Sequence, residues 1–159
     1  MSTFNLGEFH PAIIHFPIVL IFTAFAFDLL FWFKRIEIFQ SIAGWLMVII
    51  AVILVPTALT GFLAKDFYPA GDPDVWRHQY MAITTAVYTI GYAIFRGYVL
   101  FNQKVYSISL YLLLGLINIG LVNTTAEFGG IVVRGKGIMF DSLRPTGSPL
   151  PYSQVERGK

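Results

Sequence analysis

Three histidines are the residues of this chain best suited to chemistry: His10, His15 and His78. Cysteine is absent, which excludes thiol catalysis, disulfides and cysteine-held zinc or iron–sulfur centres. Neutral imidazole remains as a metal ligand. His10 and His15 stand in His10-Pro11-Ala12-Ile13-Ile14-His15-Phe16-Pro17, and His78 stands in Trp76-Arg77-His78-Gln79-Tyr80. Two imidazoles on different helices can grip a haem iron from both sides, an arrangement that helix bundles support. A zinc or copper site using all three histidines is a weaker alternative, because no carboxylate has metal-ligand spacing to them. The plain alternative is a set of interfacial polar side chains satisfied by water, lipid head groups or one another.

The elements that must position these residues are membrane spans. The chain has 159 residues, of which 56% are hydrophobic and only 13% charged, and its mean hydropathy is +0.68. A soluble domain carries about 25% charged residues. Four apolar blocks run from Pro11 to Phe33, Ile38 to Ala64, His78 to Phe101 and Val105 to Phe128. Each reaches the ~20 residues that a helix needs to cross ~30 Å of hydrocarbon. Unpaired backbone groups are not tolerated in lipid, so the blocks read as helices. With 11 Lys plus Arg against 9 Asp plus Glu, no basic footprint for nucleic acid exists. Nucleotide-binding glycine motifs and a Ser–His–Asp arrangement are likewise absent.

Short connections at 34–37 and 102–104 force antiparallel neighbours. Four spans then place both termini, and the 65–77 loop, on one side of the bilayer. All three histidines belong to that side. Lys34, Arg35 and Lys104 mark the tight turns as cytoplasmic, which puts the termini outside. Residues 1–9 contain no Lys or Arg, so the first block reads as a retained span rather than a signal peptide.

On a helix starting at His10, His15 lies about 7 Å deeper and is rotated by about 140°. Depth makes His15 and His78 the expected ligand pair, with His10 in reserve. Trp76, Tyr80 and Glu127 are expected to line or tune the site. Asp28 follows His10 by 18 residues, and Arg96 follows His78 by 18. Both therefore reach about 27 Å along their helices, and an ion pair between them would lower the cost of each charge in the membrane. Pro56 predicts a kink whose freed carbonyl Thr57 or Thr60 can satisfy. Asn118 and Asn123 serve interhelical hydrogen bonds or cofactor contacts. Ile131 to Met139 reads as a short extended segment, and the proline-rich residues 141–159 as an irregular tail.

The opening His10-Pro-Ala-Ile-Ile-His15-Phe-Pro17 resembles the signature of a bacterial membrane family, domain of unknown function 2231. Asp28, Thr57-Ala-Leu-Thr60-Gly61, His78 and Gly129-Gly130-Ile131-Val132-Val133 followed by Gly137 are similar to later family features. The resemblance covers about residues 10–140 and implies small four-span proteins. Members often carry histidines in the last stretch, where Glu127 and Lys136 stand here. Fusions of such domains to cytochrome-like modules imply a redox role by analogy.

The resulting expectation is an all-α, four-transmembrane-helix, up-down-up-down bundle. It comprises an N-terminal segment 1–9, a membrane domain 10–140 and a tail 141–159. Its expected role is a b-type haem-binding subunit for electron transfer, more an accessory or electron-transfer subunit than a stand-alone enzyme. It would lie in a bacterial inner membrane beside other membrane or cytochrome subunits. The alternative is a non-catalytic structural or docking subunit of a larger membrane complex.

Overall fold

The computed structural model describes residues 6–68, 70–104 and 106–134. A 3-10 turn at Leu6–Phe9 leads into α1 (His10–Ile13) and α2 (His15–Lys34). Then come α3 (Glu37–Ala64), a second 3-10 turn at Lys65–Phe67, α4 (Pro73–Phe101) and α5 (Ile108–Arg134). No strand occurs among the described residues. α2 packs on α3, α3 on α4 and α4 on α5, and α2 against α5 closes the ring. This is the up-down-up-down, all-α bundle.

Local chemistry explains the joints. Pro17 has no N–H for the Ile13 carbonyl and its ring crowds that oxygen. The helix accordingly steps at Ile14, separating α1 from α2. Arg35 closes α2 in the left-handed region, φ 56°, with its N–H bonded to the Phe31 carbonyl. Asp72 caps α4 by accepting from the Asp74 N–H at 2.8 Å, and Pro73 occupies the first turn, where its missing donor costs nothing.

Helix α3 runs without interruption through Pro56. The Thr57 hydroxyl donates to the Ile53 carbonyl at 2.9 Å, and Thr60 donates back to the carbonyls of Pro56 and Thr57, both at 3.0 Å. α5 continues through Gly129 and Gly130 to Arg134. The extended segment expected from Ile131 is therefore helix as far as Arg134. Its remainder, and the irregular tail at 141–159, lie outside the described residues.

The bundle is apolar outside and carries its buried polar side chains among the apolar ones inside. Val19, Val52, Val55, Ile94, Leu113 and Leu116 are exposed, whereas Asp28, Thr85, Thr89, Arg96, Asn118 and Thr125 are buried. That inversion fits lipid as the surrounding solvent. Leu6–Lys34, Glu37–Phe67 and Ile108–Val133 are long and apolar enough to cross a membrane. α4, at 29 residues, is equally long but more polar. It packs between α3 and α5 with its threonines and Arg96 turned inward, so it crosses with them. Small residues let the helices approach: Gly97 lies against Val48 and Gly115 against Phe25.

Candidate functional site

Two histidines meet the bundle interior at the end where α1 and α4 begin. His10 is held from three directions. Gly7 is buried and so close to α3 that a Cβ there would lie 2.7 Å from the Ala64 nitrogen. Glycine thus presses the Leu6–Phe9 turn onto the end of α3 and points the following residue inward. The His10 ring edge lies on Gly61, where an added Cβ would come 2.7 Å from Cε1. Its Nδ1 is 3.2 Å from the Thr60 hydroxyl oxygen. That hydroxyl also lies 3.0 Å from the carbonyls of Pro56 and Thr57; when its single proton goes to either of them, Thr60 accepts and His10 Nδ1–H donates.

His78 repeats the pattern across the bundle. Its ring lies on Gly129 of α5, where an added Cβ would stand 3.0 Å from Cε1. Its Nδ1 is 3.1 Å from the Thr125 carbonyl. A carbonyl only accepts, so Nδ1 again carries the proton. A neutral imidazole that donates from Nδ1 keeps its lone pair on Nε2, the state a metal requires.

The other expected site residues are elsewhere. His15 is exposed on the outer face of α2, so the expected pairing of His15 with His78 gives way to His10 with His78. The 140° turn between the two positions decides this: with His10 turned in, His15 turns out. Trp76 and Tyr80 flank His78 at two residues' distance, about 200° around the helix. Both are exposed and face away from the site they were expected to line. Glu127 is buried in the same turns of α5 as Thr125 and Gly129. Asn123 is exposed.

At the opposite end, Arg96 Nη1 donates to both carboxylate oxygens of Asp28, at 3.0 and 3.1 Å. Its Nη2 donates to the Gln40 carbonyl at 3.0 Å, and the guanidinium stacks 4.2 Å over the Tyr111 ring.

Between the two ends runs a ladder in which Asn118 was expected to bond between helices and the other members were missed. Thr85 and Thr125 hydroxyls are 2.7 Å apart. Thr89 Oγ1 is 2.7 Å from the Thr85 carbonyl and 2.7 Å from Asn118 Oδ1. The Tyr92 hydroxyl donates to the Tyr111 carbonyl at 3.2 Å. Residues 78, 85, 89, 92 and 96 of α4 fall at heptad steps, so one inward stripe carries the α4 side of this polarity. A search for polar residues at that spacing would have found it; hydrophobic periodicity does not.

Among the described residues, no group of three or more His, Cys, Asp or Glu is placed to hold a metal ion. The donor set is two imidazoles. That suits a metal bringing its other ligands with it, as haem iron brings four porphyrin nitrogens, better than zinc or copper, which need three or four protein ligands.

A family profile described as "predicted membrane protein (DUF2231)" matches residues 8–141. No curated protein and no solved structure matches the chain.

Proposed function

The chain belongs to the DUF2231 family of predicted membrane proteins, and from that premise we propose that its histidine end holds a b-type haem between His10 and His78. The observation that carries this reading is the matched state of the two rings. Each is turned inward, rests on a glycine and has Nδ1 engaged in a hydrogen bond, which leaves Nε2 free for iron. Haem supplies reversible one-electron transfer, so the protein is an electron-transferring membrane subunit whose partners are other redox proteins of the same membrane.

The chain's own residues have definite parts in this. The Thr60 hydroxyl and the Thr125 carbonyl hold the tautomers and orient the rings. Gly61 and Gly129 provide the space the rings occupy. The apolar walls of α2 and α3, which bury Ile21, Ala24, Met47 and Ile50, keep bulk water from the interior and so help set the potential. The positive charges at the tight turns support an orientation with the histidine end on the outer side of a bacterial inner membrane.

The test is a titration of haemin into detergent-purified protein, followed in the Soret region. Saturable binding that His10→Ala and His78→Ala each abolish supports the assignment. Absence of saturable binding to folded protein overturns it in favour of the structural-subunit alternative.

A further inference from the structure

The middle of a membrane-crossing helix leaves few ways to satisfy a polar side chain that faces lipid. Thr23, Thr84 and Thr124 face outward, and each hydroxyl donates back into its own helix, to the carbonyls of Val19, Tyr80 and Gly120 at 2.8, 2.9 and 2.9 Å. Asn102, at the end of α4, likewise donates from Nδ2 to the Tyr98 carbonyl at 2.9 Å, and Asn118 is bonded inside the bundle to Thr89. Asn123 does neither. It is exposed on the outer face of α5, and its amide has no hydrogen-bond partner among the described residues. α5 runs from Ile108 to Arg134, so Asn123 stands about 3 Å from the helix midpoint and about 16 Å from its nearer end. Head groups and bulk water do not reach that depth. Hydrocarbon offers an amide no donor and no acceptor, which makes the position costly unless another protein surface covers it.

We propose that Asn123 marks the interface at which two copies of this chain pair through α5. Copies inserted alike share one orientation. Two α5 helices related by a two-fold axis along the membrane normal therefore run parallel, and like residues meet at equal depth. An amide is both donor and acceptor, so Nδ2 of each Asn123 donates to Oδ1 of the other, and both amides that lipid leaves unsatisfied find a partner. The surrounding face permits the approach. Leu113, Leu116, Gly120 and Asn123 follow one another at steps of three and four, the side of a helix that a parallel partner meets. Leu113 and Leu116 are 56% and 59% exposed. An added Cβ at Gly120 meets nothing within 4 Å, so the backbones can come close there. α4 carries Gly91 in equally open space, but its outward hydroxyl at Thr84 is already bonded, which singles out α5. The lone asparagine sets the register of the pair, as a single polar residue does in the seam of a coiled coil. No residue of the histidine site takes part, so the pairing and haem binding can fail separately.

The chain lacks cysteine, so single introduced cysteines report on proximity without interference. The full chain with Leu116→Cys, and separately with Val52→Cys or Ile94→Cys on the exposed faces of α3 and α4, is oxidised in the membranes of the expressing cells. Leu116→Cys should give a disulfide-linked dimer, and the two controls should not. A second measurement follows resonance energy transfer between donor- and acceptor-labelled chains as they are diluted in phosphatidylcholine–phosphatidylglycerol vesicles. Asn123→Leu should weaken self-association about tenfold. Asn123→Gln, which keeps the amide, should recover part of that loss, and Gly120→Leu should abolish pairing by holding the backbones apart. These substitutions all lie on the outer face of α5, so helicity by circular dichroism should match the wild type. Cross-linking that is absent at Leu116→Cys, or equal in all three cysteine variants, overturns the proposal. So does energy transfer that is absent in the wild type or that Asn123→Leu leaves unchanged. A Leu116→Cys product with a different protein in place of the dimer would assign the face to another subunit instead.

Discussion

Arg96 reaches across the bundle to Asp28, and both residues are about as fully enclosed as the best-buried apolar ones, each at 2% exposure. Two charges at this depth are tolerable only together. The carboxylate accepts from the guanidinium, which also donates to the Gln40 carbonyl and stacks on the face of Tyr111. The pair ties α2, α3, α4 and α5 at one level and fixes their register.

Removing one partner should therefore cost far more than removing both. Asp28→Ala leaves a buried, uncompensated guanidinium and is expected to destabilise the fold by about 3–5 kcal/mol. The double variant Asp28→Leu/Arg96→Met should recover much of that loss, since an apolar pair of similar volume is often neutral. Denaturant unfolding in detergent measures both. A double variant no better than Asp28→Ala would show that the ion pair is not the source of the penalty.

Glycines under the imidazoles should separate binding from stability. Gly61→Ala and Gly129→Ala push against the ends of side chains that can swing aside, not against backbone. Each is expected to weaken haem retention strongly while shifting the unfolding free energy by less than about 1 kcal/mol, the range of non-disruptive substitutions. Gly120→Ala, with open space around its added carbon, should leave retention unchanged. Equal haem content in all three variants would remove the glycines from the site.

Gly7→Ala should act differently, because its added carbon meets the backbone of Ala64 and Leu63. Backbone cannot swing away. The Leu6–Phe9 turn should detach from α3 and carry His10 with it. Amide exchange in residues 6–14 is expected to accelerate, with the exchange of α4 and α5 unchanged. Unaltered protection of that segment would contradict the close approach.

His15 should be dispensable for binding. It stands on the outer face of α2, so His15→Ala is expected to retain haem where His10→Ala loses it. The reverse order of effects would return the ligand pair to His15 and His78.

Much of the fold was legible in the chain because lipid imposes it. Block length, two short turns and the lack of charge were enough to give four antiparallel helices, and α3 begins and ends within a residue of its apolar block. The matched spacing of Asp28 and Arg96 placed them at one depth, where the structure joins them. The site was harder to read, because depth and rotation gave competing answers. Depth favoured His15, while a turn of about 140° separates it from His10, and rotation decides which side chain enters the core. The same rule turns Trp76 and Tyr80 away from His78. Gly129 and Gly130 look like helix breakers, yet α5 passes through them. Lipid leaves its backbone no other partner for hydrogen bonds, and Gly129 makes room for the His78 ring. Thr85, Thr89 and Tyr92, which continue the stripe between His78 and Arg96, escaped notice because its heptad spacing is written in polar residues.

The most direct measurement of the haem assignment is the visible spectrum of the protein purified from haem-replete cells, before and after dithionite. If His10 and His78 hold the haem, the reduced protein is expected to show the sharp α and β bands of a low-spin b-type haem. His15→Ala keeps them, and His10→Ala and His78→Ala each lose them. Folded protein without these bands, even after reconstitution with haemin, would contradict the assignment, as would bands that survive removal of both His10 and His78.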